Sequence, residues 1–164
     1  MGTQYNLIKD RFYKLLRNDK KYFNYTGLDS TTITQLTNDH FVDLLNQAID
    51  ELYNFAILPP QIDFYNKDDT LMQFNVDLNK KEIGLLASIC YYKYFCEDKN
   101  KLHEMSITFK GNELNALSPA NERRSVLDMI NELEDNVSTD IINYMSIDRI
   151  TGKIRTKQTQ IDLR

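Results

Sequence analysis

The stretch Ile83–Cys96, IGLLASICYYKYFC, constrains the fold of this chain more than any other part of it. Its apolar residues cover nearly the whole circumference of a helix, interrupted at Gly84, Ser88 and Lys93. A helix that is apolar all round must be enclosed by other protein. Its 14 residues are too few to cross a bilayer. The stretch therefore predicts a buried central helix and no membrane partner.

The large side chains of this helix are expected to contact either the core of their own chain or a neighbouring copy. Apolar residues on two faces offer more surface than one copy is expected to hide, which favours an oligomer. The tyrosines can also stack on nucleic-acid bases, but the chain around them is not basic, so core or subunit contact is favoured. The residues concerned are Ile83, Leu86, Ile89, Tyr91, Tyr92, Tyr94 and Phe95.

Length and charge narrow the class of protein. The 164 residues, 41% of them hydrophobic, are enough for one domain with its own core. The net charge of −4 argues against general affinity for nucleic acid. Because the N-terminal residues lack the apolar core of a signal peptide, we expect synthesis and folding in a reducing cytosol.

Helices are predicted on both sides of the central one. Apolar spacing predicts a first helix over residues 3–17. Asp29 or Ser30 is expected to cap a short helical turn, and Thr37 or Asn38 a longer helix that ends before Pro59–Pro60. Ser118–Pro119 is expected to start a long C-terminal helix, which residues 136–139 bend or divide.

Two short segments alternate apolar and polar residues, as strands do. Residues 72–78 form the first and residues 105–109 the second, and we expect them to pair as a small flap. The predicted fold is all-α, a bundle of about four to five helices with this hairpin flap and an extended C-terminal arm. The predicted boundaries are 1–146 for the helical domain and 147–164 for the arm.

Residue types that carry catalysis or bind metals do not cluster in the sequence. His40 and His103 lie in different segments without metal-ligand spacing, so structural or surface roles are expected. Cys90 and Cys96 are expected to be small apolar residues, since six positions along a helix separate them by about 240°. Phosphate-binding glycine loops and hydrolase motifs are absent from the sequence. We expect no enzyme activity, no catalytic residue, no metal and no cofactor.

The C-terminal residues 147–164 differ from the rest in charge. They hold five basic and two acidic side chains, which gives a net charge of +3. Since the whole chain has a net charge of −4, residues 1–146 carry −7. Such a segment is a solvated terminus, an arm that docks on a partner protein, or a nucleic-acid contact. Its large aliphatic residues favour docking. The candidate docking residues are Arg149, Ile150, Lys153, Ile154, Arg155, Lys157, Ile161 and Leu163.

Residues 70–145 resemble the head-to-tail connector proteins of tailed bacteriophages, which are also called portal adaptors or neck proteins. The resemblance lies in FNVDLNKKEIGLLASICYYKYF and, after a charged gap, in ALSPANERRSVLDMINELEDN. Its features are Phe74 and Leu78, the pair Glu82–Ile83 that opens the central helix, and Ser118–Pro119–Ala120 that opens the last one.

This resemblance implies a structural virion protein, made in the host cytoplasm and located in the neck of the particle. About twelve copies would form a ring under the portal vertex, closed by rotation so that each copy uses two different patches. The C-terminal arm would insert into the portal protein, and other neck or tail proteins would bind below. DNA would pass through the lumen without sequence-specific binding.

Three other functions remain open at this point. The chain can be another neck component, such as a stopper or tail-completion protein. It can be a cytosolic helical protein-binding module with no affinity for a portal. It can also be a small nucleic-acid-binding regulator that uses its basic tail, in which case binding would fall steeply with salt.

Overall fold

The computed structural model describes residues 2–17, 27–55, 58–108 and 120–155. Within these ranges the chain forms four helices and one two-stranded sheet, which confirms the all-α bundle with a small hairpin. The elements in chain order are α1 (Tyr5–Leu16), α2 (Ser30–Asn54), β1 (Lys67–Asp68), β2 (Gln73–Phe74), α3 (Lys80–Thr108) and α4 (Ala120–Ser146).

Helix α3 is the centre of the bundle and packs against α1, α2 and α4. Its stretch Ile83–Cys96 has no exposed residue, as the apolar sequence predicted. Phe12 of α1 joins the layers, because its ring lies 5.9 Å from that of Phe41 on α2 and 6.0 Å from that of Tyr94 on α3. The core is thus built from one apolar helix and the apolar stripes of its three neighbours, together with Phe64, Phe74 and Leu78 from the segment before α3.

Side-chain caps fix where two of the helices begin. Asp29 accepts hydrogen bonds from the backbone N–H groups of Thr31 and Thr32, both at 3.0 Å, which confirms it as the cap of α2. Helix α2 then runs unbroken to Asn54, so the predicted second start at Thr37 or Asn38 is wrong. Starting a second helix would require a new and unfavourable nucleation step. Continuing the existing helix avoids this cost and keeps its apolar stripe buried.

Asn79 caps α3 in the same way. Its side-chain oxygen accepts from the N–H groups of Lys81 and Glu82, at 2.9 and 3.0 Å. Glu82 in turn accepts from the N–H of Asn79 at 2.6 Å, which completes a reciprocal capping box. Because of this box, the start of α3 is held by a side chain that is itself buried.

The flap forms from other partners than those predicted. Strands β1 and β2 pair antiparallel, and β2 also pairs with the N-terminal residues, where the N–H of Phe74 donates to the carbonyl of Thr3 at 2.8 Å. The predicted strand at 105–109 is wrong as far as residue 108, since α3 continues to Thr108. Residue 109 lies outside the described residues. Extending a formed helix costs less than starting a strand, so the short alternation at 105–108 does not decide the structure.

The C-terminal helix also differs from its prediction. It runs from Ala120 to Ser146 without the bend expected at 136–139. Val137 faces the core, and the hydroxyl of Ser138 donates to the carbonyl of Glu134 at 2.8 Å, so the polar run is accommodated within the helix. Ser118 and Pro119, the predicted start, lie outside the described residues.

Candidate docking site

Residues 147–155 form a tight hairpin rather than the extended arm that was predicted. The N–H of Asp148 donates to the carbonyl of Lys153 at 2.7 Å, and the N–H of Arg155 to the carbonyl of Ser146 at 2.7 Å. Ile147 and Ile154 form an antiparallel bridge. The first half of the predicted arm is therefore folded, and the term C-terminal hairpin is used for residues 147–155 below.

Asp148 and Gly152 make this turn. The Asp148 carboxylate accepts from the N–H groups of Ile150 and Thr151, at 3.1 and 2.6 Å, and from the Thr151 hydroxyl at 2.7 Å. Gly152 has a φ of +68°, a conformation that glycine adopts without strain. The Thr151 contacts lower the pKa of Asp148, because they favour its charged form.

Acidification is expected to loosen the turn. Since the folded pKa of Asp148 is depressed, its contribution is complete above the unfolded value of about 3.9 and is lost as the pH falls through the folded pKa. Amide exchange at Ile150 and Thr151 is expected to accelerate below pH ~4, beyond the intrinsic effect of pH on exchange. Asp148→Asn, which cannot titrate, is the control, and an equal pH response in both chains would contradict this role for Asp148.

A buried ion pair ties the C-terminal hairpin to the bundle. The Glu82 side chain is 0% exposed. Arg149 donates to it through Nε at 2.6 Å and through a terminal nitrogen at 3.2 Å. That terminal nitrogen also donates to the carbonyl of Asp77 at 2.5 Å. Buried charges are found where paired and hydrogen-bonded groups compensate them, and this carboxylate meets that condition.

Tyr144 on α4 completes the group. Its hydroxyl donates to Glu82 at 2.9 Å. Burial, and then the negative charge of Glu82, raise the pKa of Tyr144 well above its usual range, so that it remains a donor. The hydrogen bond to Glu82 raises the pKa of Arg149. The name hairpin anchor is used below for Glu82, Tyr144 and Arg149.

The loop before the flap makes a second attachment. Gln61 donates to the carbonyl of Ile147 at 2.7 Å and accepts from the N–H of Arg149 at 2.6 Å. Arg155 donates to the carbonyls of Pro59 and Met145, at 3.1 and 3.2 Å. The C-terminal hairpin thus contacts α3, α4 and the 59–61 loop, and its position is fixed from three sides.

The tip of the C-terminal hairpin is exposed. Ile150 is 90% exposed and Ile154 is 79% exposed, and Lys153 between them is also exposed. The hairpin tip, defined as Ile150, Lys153 and Ile154, places two aliphatic side chains and one cation on a fixed backbone. Among the described large hydrophobic side chains, these two isoleucines are the most exposed.

The structure divides the predicted docking residues into three groups. Arg149 bonds to Glu82, and Arg155 bonds to the carbonyls of Pro59 and Met145, so both guanidinium groups have partners within the chain, and their docking role stays a prediction. Ile150, Lys153 and Ile154 lie at the surface, and their docking role stays a prediction. Lys157, Ile161 and Leu163 lie outside the described residues. The sequence shows that Arg149 is basic. It does not show that Arg149 forms an ion pair with the buried carboxylate of Glu82, 67 positions away.

The residues predicted for core or subunit contact lie in or against the chain's own core. Five are buried and two, Ile83 and Tyr91, are partly buried against the core. The expected surplus of apolar surface on Ile83–Cys96 is wrong, because the neighbouring helices cover it. The stretch Ile83–Cys96 therefore gives no argument of its own for an oligomer. The five buried residues are Leu86, Ile89, Tyr92, Tyr94 and Phe95.

The hairpin anchor was missed at the sequence level. The sequence places Glu82 at the start of the central helix, where the helix dipole favours a negative charge, but this position does not identify its partners. A further signal was present, because Glu82 directly precedes a stretch that must be buried on all sides. A carboxylate at such a position requires a partner, and a C-terminal arginine is a candidate for it.

Beside the anchor lies a cleft of about 610 Å³. Its walls come from α1, α3, α4 and the C-terminal hairpin, and Arg11, Lys80, Lys81 and Arg149 line it. Gly84 forms part of its floor, where a Cβ atom would lie 2.9 Å from the Arg11 guanidinium. The absence of a side chain at position 84 leaves room for the Arg11 guanidinium against α3.

The other polar candidates serve structural contacts in the part of the chain that is described. His40 lies 3.0 Å from Glu97 across α2 and α3, and neither Cys90 nor Cys96 belongs to a disulfide. Within the described ranges, three or more potential metal ligands do not come together, and no helix is long and apolar enough to span a membrane. The His103 side chain lies outside what the structure describes.

Comparisons with known proteins give no relative for this chain: no family model, no curated protein and no solved structure matches it.

Proposed function

We propose that this chain is a structural virion protein of a tailed phage, a ring-forming connector that joins the portal vertex of the capsid to the tail and lets DNA pass. The proposal starts from the resemblance of residues 70–145 to phage connector proteins. Residues 147–164 dock on the portal protein in this account. Other neck or tail proteins bind on the opposite side of the ring.

The observation that carries the proposal is the exposed pair Ile150 and Ile154 on a hydrogen-bonded hairpin. Covering large aliphatic side chains that are exposed to water lowers the free energy, so such side chains on an ordered backbone favour binding to a partner. Single exposed apolar residues are common, but these two are presented together on an anchored segment that leads into the basic residues up to Arg164.

The distribution of charge supports the same function. The exposed side of α4 carries Asp128, Glu132, Asp135 and Asp140. Together with the net −7 of residues 1–146, such a surface repels DNA phosphates, which suits a channel through which DNA slides. The positive C-terminal segment is instead suited to an acidic protein surface.

Replacing both tip isoleucines by serine is expected to weaken binding to the portal protein of the same genome by about 100-fold or more. Covering two isoleucines is worth about 3 kcal/mol or more, which corresponds to that factor in Kd. The measurement is biolayer interferometry with immobilised portal complexes. Ile150→Ser/Ile154→Ser leaves the hairpin anchor in place, and truncation after Arg155 tests the remaining nine residues separately.

The matched control is Leu7→Ser/Leu71→Ser, which removes two leucines of 53% and 59% exposure elsewhere on the surface. Portal binding is expected to be unchanged in this control. A wild-type chain that remains a monomer and does not bind the portal protein would contradict the proposal. It would favour the alternative function, a cytosolic binding module. Binding to the tail side alone would favour a stopper or tail-completion protein.

A further inference from the structure

We infer that the partner recognises the C-terminal hairpin as a preformed surface, and that Arg149 is the positioning residue that holds it in place. The inference rests on the proposed function for the identity of the partner. It differs from a loose arm that becomes ordered only on docking. The receiving site on the partner is accordingly an apolar pocket for Ile150 and Ile154 with a carboxylate near Lys153.

The first support is the direction in which the side chains point. Arg149 and Arg155 bond to groups of the bundle, whereas Ile150, Lys153 and Ile154 face solvent. The basic residues that anchor the hairpin are thus separate from the residues that remain for a partner. A fixed tip of two aliphatic side chains around one cation is complementary to an apolar pocket with acidic groups at its edge.

The second support is that the attachment is made by buried and fully paired groups. Both oxygens of Glu82 accept hydrogen bonds, from Arg149, Tyr144 and the N–H of Asn79. The Glu82 side chain is 0% exposed, and Arg149 is the only positively charged side chain bonded to it among the described residues. Releasing the hairpin would remove Arg149 from Glu82. An unpaired buried charge is strongly unfavourable, so the attached conformation is the stable one.

The third support is the benefit of order for binding. A segment that is already in its bound conformation avoids the loss of conformational freedom that a loose segment incurs on docking. If Arg149 maintains that conformation, loosening the hairpin reduces the competent fraction and raises Kd in proportion. We expect at least a tenfold rise, although Arg149 itself does not touch the partner.

The test compares wild type, Arg149→Gln and Gln61→Ala by amide hydrogen exchange and by portal binding. The exchange of Asp148, Gly152 and Arg155 amides reports on the hairpin, since the first two donate hydrogen bonds inside it and Arg155 donates to Ser146 at its base. Gln61→Ala removes two hydrogen bonds to the hairpin but leaves no charge unpaired, so it addresses the same question if Arg149→Gln fails to fold.

Faster hairpin exchange together with a tenfold or larger rise in Kd is the expected result for both variants. Faster exchange with wild-type affinity would overturn the inference, because docking would then not need the preformed hairpin. Unchanged exchange in both variants would overturn the role of Arg149.

Failure of the proposed function gives a different result. If wild type does not bind the portal, the assignment of the partner and the proposed function are overturned together. The exchange data then still decide whether Arg149 fixes the hairpin, since they need no partner.

Discussion

Phe12→Ala is expected to lower the free energy of unfolding by about 3–5 kcal/mol. The Phe12 side chain is 0% exposed, and its ring contacts those of Phe41 and Tyr94, so that it links α1, α2 and α3. Alanine would leave a cavity where three helices meet and would lose the aromatic contacts as well. Since domains of this kind are stable by about 5–15 kcal/mol, this substitution is expected to bring the chain close to unfolding.

Urea denaturation followed by circular dichroism measures this effect. Leu7→Ala is the matched control on the same helix, because Leu7 is 53% exposed and its truncation is expected to cost about 0.5 kcal/mol or less. Equal midpoints for the two variants would contradict the described packing of α1 against the bundle.

Arg149→Gln is expected to lower the free energy of unfolding by about 3 kcal/mol, a large effect for a residue near the C-terminus. Removing the guanidinium leaves the Glu82 carboxylate without its positive partner at a site that is 0% exposed. Glu82→Gln is expected to lower the free energy of unfolding by less than Arg149→Gln does. The Arg149 side chain that then lacks its partner is 27% exposed and can be hydrated. The double variant is expected to recover part of the loss, since neither charge then remains.

A second ion pair provides the control. Arg124 and Asp128 lie 4.0 Å apart on α4, with side chains 84% and 70% exposed. Arg124→Gln is therefore expected to change the free energy of unfolding by about 0.5 kcal/mol or less. If Arg149→Gln proves as mild as Arg124→Gln, Arg149 does not anchor the hairpin as described. Thermal and urea unfolding of the four variants give the comparison.

The helices could be predicted because their signals are local. The apolar run Ile83–Cys96 requires burial, and Asp29 supplies a cap that depends on residues two and three positions away. The N-terminal helix followed from the spacing of Tyr5, Ile8 and Phe12, all of which are buried. Such features are specified by residues within one helix and can be recognised before its neighbours are known.

The hairpin anchor and the flap could not be predicted in the same way. Tyr144 and Arg149, the partners of Glu82 in the hairpin anchor, lie 62 and 67 positions later in the chain, and β2 pairs with residues near the N-terminus. These contacts exist only when the helices have packed, so no local pattern specifies them. The alternation at residues 105–108 was misleading for another reason. Continuing α3 to Thr108 is more favourable than forming a strand from so short an alternating pattern.

The candidate site was predicted only in part. The composition of residues 147–164 indicated a segment with basic and aliphatic residues available to a partner. It did not indicate that Asp148 and Gly152 turn the chain back, or that this turn directs Arg149 inward and Ile150 outward. Which side chains remain for a partner is decided by the turn and by one buried carboxylate.

Cryo-electron microscopy of the full chain mixed with the portal protein of the same genome shows whether the two proteins assemble as proposed. We expect a closed ring of copies on the portal, with Ile150 and Ile154 of each copy covered by portal residues. A chain that forms no ring on the portal, or a ring whose hairpin tips face solvent, would contradict it.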